Sequence, residues 1–93
     1  MGDRSKYPQG YSEKQKADFD EIREIAKSVP ETVGFGILED NEYTAYIQVS
    51  TYKITDEMYR ISRNFNAPSN GHSISLMFVT NDFNEGIPYC ITA

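Results

Sequence analysis

Apolar residues in this chain switch from helical spacing to strict alternation and back again, with proline or turn residues at the changeovers. A chain of that kind is held to helices and strands that share one core. Phe19, Ile22, Ala26 and Val29 fall at i, i+3, i+7 and i+10, with Ile25 beside them, and so form one stripe of a helix. Ser12 and Gln15 have the spacing of a capping box, in which each side chain satisfies a free backbone N–H of the first turn. Pro30 ends the helix, because it cannot donate to the ladder and disfavours helical geometry at Val29.

Residues 32–50 read as a β-hairpin. Val33, Phe35 and Ile37 alternate with Thr32, Gly34 and Gly36, and Tyr43, Ala45, Ile47 and Val49 alternate in turn. Only a loop of Asp40, Asn41 and Glu42 pairs Ile37 with Ala45, Phe35 with Ile47 and Val33 with Val49, which places both apolar sets on one face. A second helix starts at Thr55, with Asp56 and Glu57 where the dipole favours negative charge and Ile54 and Tyr59 at the spacing of a hydrophobic staple. Its stripe is Met58, Ile61 and Phe65; Asn66 and Pro68 stop it. Ile74, Leu76 and Phe78 then alternate as a strand, Asn81–Gly86 is a loop, and Ile87, Tyr89 and Ile91 form a last strand, in which Pro88 argues for an edge position or for a place where the N–H would point outward.

The predicted fold is α+β in the order α-β-β-α-β-β, a four-stranded antiparallel sheet of two hairpins with both helices on one face. Residues 1–11 are a flexible N-terminal segment and residues 12–93 a single domain. Phe19, Ile22, Phe35, Ile47, Ile61, Phe65, Leu76 and Phe78 are the expected core. The motifs identify no family.

Charge narrows function. The formal net charge is −5, and residues 1–28 are balanced. The excess lies in residues 29–93, where only Lys53, Arg60 and Arg63 face Glu31, Glu39, Asp40, Glu42, Asp56, Glu57, Asp82 and Glu85. Binding to a nucleic-acid backbone needs clustered Lys and Arg, so direct nucleic-acid binding is not expected. A single cysteine, Cys90, allows no internal disulfide and fits a cytoplasmic location. The opening MGDRSKYPQG has no apolar run of a signal peptide, and no membrane association is expected.

Chemistry is sparse in the sequence. His72, the one histidine, follows Asn70-Gly71 and reads as a solvent-exposed turn residue. Cys90 reads as a packing or edge-strand residue, and the acids look too scattered for a metal site. No cofactor, no metal and no catalysis are expected. Gly34 and Gly36 flank Phe35 in a strand, without the following helix of a phosphate loop, and form a candidate ligand-binding patch of bare backbone.

The expected function is a small acidic protein-binding module that occupies a basic surface of a partner protein. It would be an inhibitor, or an immunity or anti-defence type of protein such as phages and mobile elements carry. Glu39, Asp40, Glu42, Asp82 and Glu85 at the two hairpin tips, with Tyr46, are the candidate partner-binding residues. The alternative is a ligand-sensing or regulatory domain without catalysis, acting as a homodimer.

Overall fold

The structure is a computed structural model that describes residues 7, 10–38, 41–82 and 89–91. Helix α1 spans Glu13–Ser28, and both bonds of its capping box form: the Gln15 N–H donates to Ser12 Oγ at 3.1 Å and the Ser12 N–H to Gln15 Oε1 at 2.8 Å. Helix α2 spans Asp56–Asn66, with the Met58 N–H donating to the Thr55 hydroxyl at 3.2 Å. A 3-10 turn, Pro68–Asn70, follows and closes on Gly71 at a φ of 66°, a left-handed conformation that glycine adopts without a Cβ clash.

Strands β1, Thr32–Leu38, and β2, Asn41–Val49, pair antiparallel with Phe35 opposite Ile47 and Ile37 opposite Ala45, as expected. Val33 does not meet Val49. Thr32 takes that place and Gly34 stands opposite Gln48, so Val33 is the extra residue of a bulge and is 43% exposed. The Thr32 hydroxyl beside it is buried with no hydrogen-bond partner.

The expected sheet is corrected at β3, Ser75–Val79. It lies parallel to β2, from Thr44 opposite Ser75 to Gln48 opposite Val79. α2 carries the chain back along the sheet between β2 and β3, and a strand entered after such a crossover runs in its neighbour's direction. The body of the fold is therefore α-β-β-α-β with a mixed three-stranded sheet, β3-β2-β1, and not two antiparallel hairpins. In place of a full fourth strand paired with β3, a three-residue segment β4, Tyr89–Ile91, lies antiparallel along the other edge of β1. Ile87 and Pro88 are outside the described residues.

Both helices pack on one face of the sheet, α1 over β1 and β2 and α2 over β3. Phe19 and Ile22 of α1, Met58 and Phe65 of α2, and Phe35, Ile47, Leu76 and Phe78 of the strands form one buried cluster, and Ile61 packs half-buried against it. Tyr7 and Tyr11 set their rings edge-on to Phe19, each at 6.2 Å between centroids. The free edge of β3 is closed by a side chain. Asn66 donates to the Leu76 carbonyl at 2.9 Å and accepts from the Leu76 N–H at 2.8 Å, so its amide imitates a neighbouring strand.

Candidate functional site: the cleft between the helices

Asp18 lies on the buried side of α1, one turn before Ile22, and is 2% exposed. A carboxylate there has to be satisfied by hydrogen bonds. Ser73 supplies them, its N–H donating to Asp18 Oδ2 at 2.5 Å and its hydroxyl at 2.7 Å, while Lys14 Nζ lies 3.4 Å from Oδ1. Burial pushes the Asp18 carboxyl up; the Ser73 hydroxyl and backbone N–H, with Lys14, outweigh it and hold the group below its ordinary value.

His72 follows directly on the Asn70-Gly71 turn, yet its side chain is only 10% exposed. This corrects the solvent-exposed turn expected from sequence: the ring is drawn inward by a stack on Phe65, with centroids 3.7 Å apart and planes 9° from parallel. Nδ1 is 2.8 Å from the Phe65 carbonyl oxygen and Nε2 is 2.9 Å from Glu21 Oε1. Both neighbours accept, so both ring nitrogens donate only when the imidazole is protonated. Burial pulls the His72 pKa down, but Glu21, the Phe65 carbonyl and the Asp18 charge overcome it and raise it above the ordinary value. The His72 ring thus ties α1 to the end of α2.

Around this junction the helices leave a cleft in two lobes. One, of about 520 Å³, is lined by Glu21 and Ile25 of α1 and by Ile61, Phe65 and His72. The other, of about 340 Å³, is lined by Val29, Pro30 and Glu31 at the end of α1 and by Glu57, Met58 and Ile61. Glu21 and Ile25, in the second half of α1, thus face the late part of α2, and the end of α1 faces the start of α2, which makes the helices antiparallel across the cleft. The lining is mixed, with Asn64 and Asn70 beside the apolar side chains of the first lobe and Ser28 and Thr55 beside those of the second. Among the residues that line either lobe, the charged ones are Glu21, Glu31, Glu57 and His72, with no Lys or Arg.

The residues singled out from sequence are placed elsewhere. Asp82 is exposed, accepts from the Thr80 hydroxyl, and follows Asn81, whose N–H donates to the Thr51 carbonyl at 2.8 Å. That is the end of the sheet where β2 finishes, whereas the β1–β2 turn is at the opposite end, so the parallel strand separates Asp82 from the first acidic tip. Glu39, Asp40 and Glu85 lie outside the described residues, and of Glu42 only the backbone, within β2, is described. Tyr46 stands opposite Gly36, next to Gly34, on the face away from the helices, and all three are buried. The backbone of Cys90 pairs with Gly36 in β4.

Asp18 was overlooked in the sequence although a signal was present, since a carboxylate four residues before Ile22 falls within the apolar stripe. Glu21 and His72 carry no such signal, being 51 residues apart in the chain. Comparison with protein-family models, curated proteins and solved structures finds no match to this chain. Among the described residues, no helix is long and apolar enough to cross a membrane.

Proposed function

We propose that the chain is a non-catalytic protein-binding module whose cleft between α1 and α2 receives an amphipathic segment of a partner, with Lys or Arg residues flanking apolar anchors. The observation that carries this reading is the cleft's lining, in which Ile25, Val29, Met58 and Ile61 stand together with Glu21, Glu31 and Glu57 and with no Lys or Arg. A helix laid in such a groove is a recurrent mode of peptide recognition. Glu57 pairs with Arg60 on the surface of α2, an exposed contact of the weak kind that a partner's cation can replace. The acidic residues 39, 40, 42 and 85 add to the field that draws a basic partner in. Occupying a basic surface of an enzyme in this way is how a small acidic inhibitor of the immunity or anti-defence type acts. A cytoplasmic setting belongs to the same proposal.

The test uses a pair of designed amphipathic helical peptides, one of leucine and lysine and its twin of leucine and glutamate. The lysine peptide is expected to bind, more weakly as salt rises, and the glutamate twin is not. Ile61→Ser, which removes the side chain shared by both lobes, should weaken binding about tenfold or more. Binding of the lysine peptide that is indifferent to Ile61→Ser would place the surface elsewhere and overturn the reading.

A further inference from the structure

Asp18, Glu21 and His72 each direct a ligand-type atom into one space, and these atoms lie within 4.8 Å of one another. We propose that this triad, two carboxylates and an imidazole, is a binding site for a divalent first-row transition ion of the zinc class. Imidazole with carboxylate is a donor set suited to zinc and its neighbours, and not to magnesium or calcium, which take oxygen alone.

The surroundings of the triad carry the assignment further than its composition does. A metal-bound histidine donates its second N–H to a carbonyl or carboxylate, which fixes the tautomer and aims the other nitrogen. His72 has that arrangement: Nδ1 donates to the Phe65 carbonyl at 2.8 Å, and Nε2 points at Glu21 and Asp18. The stack on Phe65 holds the ring plane. Asp18 is held by Ser73 through two hydrogen bonds to the same oxygen, Oδ2, which leaves Oδ1 for the ion in place of the Lys14 ammonium now 3.4 Å from it. Glu21, by contrast, is 55% exposed, so it can adjust to an incoming ion. The lobe of about 520 Å³ opens onto Glu21 and His72 and leaves space for water or a further ligand on the ion. The ion takes the place of the proton on Nε2, so binding releases a proton.

The test is titration of the chelator-stripped full chain with Co²⁺ and Zn²⁺, alone and without any partner, in wild type, Cys90→Ser, Glu21→Gln and His72→Gln. Expected are a saturable Co²⁺ absorption spectrum, displacement by Zn²⁺, release of about one proton per ion and a raised melting temperature. These should persist in Cys90→Ser. Glu21→Gln, an exposed and well-tolerated change, should weaken binding about tenfold or more, and His72→Gln should abolish it. Absence of saturable binding, binding unchanged by Glu21→Gln, or binding lost in Cys90→Ser would each overturn the assignment. The last of these would move the ion to the thiol.

Discussion

His72 lies flat on Phe65, seven residues before it in the chain, with Nδ1 2.8 Å from the Phe65 carbonyl oxygen and Nε2 2.9 Å from Glu21 Oε1. Both acceptors favour the protonated ring and, against its burial, raise its pKa above the ordinary value. That shift has consequences for stability that can be measured.

Because the folded His72 pKa is raised, its contribution to stability is complete below the unfolded value of about 6.5 and is lost as pH rises through the higher folded value. Unfolding midpoints in a chelating buffer should therefore fall as pH is taken upward through neutrality. His72→Phe retains the ring stack but neither donor, and should remove that slope while costing about 2 kcal/mol at the lower pH. A slope unchanged in this variant would show that another group is responsible.

Asp18 works in the opposite direction. Its folded pKa is depressed, so its contribution is present above the ordinary carboxylate value and is lost as pH falls through the lower folded one. Asp18→Ala leaves the Ser73 donors without their acceptor and should cost roughly 2–4 kcal/mol by denaturant unfolding at neutral pH. Ser73→Ala, with the backbone bond intact, should cost less.

The bulge at Val33 separates two substitutions that sequence alone treats as equals. Phe35→Ala should cost about 3–5 kcal/mol, whereas Val33→Ser on the exposed extra residue should change stability by about 0.5 kcal/mol or less. Next to it, Thr32→Val removes the buried unpaired hydroxyl at constant shape and should stabilise the protein by about 1 kcal/mol. Thermal unfolding of the three variants checks the bulge directly.

Asn66 gives a prediction for the edge of the sheet. Its amide makes both hydrogen bonds to Leu76, so Asn66→Leu should cost about 1–3 kcal/mol although it improves helix propensity. Amide hydrogen exchange at Leu76 should accelerate in the variant. Unchanged protection there would mean that the edge is closed without Asn66.

What was legible in the sequence is what is local. Ser12 with Gln15, Pro30 and Thr55 bound the helices through neighbours within a turn, and the pairing of Phe35 with Ile47 and of Ile37 with Ala45 follows from one buried face, although Asn41 and Glu42 of the expected loop belong to β2 and Leu38 stands opposite Asn41. The position of β3 was not read, because alternation of Ile74, Leu76 and Phe78 records which face is buried and nothing about the neighbouring strand. The helix between β2 and β3 was the available sign of a parallel crossover. The crossover also carries Asp82 to the end of the sheet opposite the start of β2, a placement that the spacing of the acids in the chain does not record. The cleft depends on contacts between α1, α2 and the His72 connection, distant in sequence, and only Asp18 within an apolar stripe hinted at it.

The most direct test of the central claim is a map of backbone amide chemical shifts as the leucine–lysine peptide is titrated into the isotopically labelled chain. The perturbed residues should line the cleft, among them Glu21, Ile25, Glu31, Glu57 and Ile61, and the map should contract when Ile61 is replaced by serine. Perturbations centred instead on residues 39–42, or on Gly34, Gly36 and Tyr46 across the sheet, would contradict that claim.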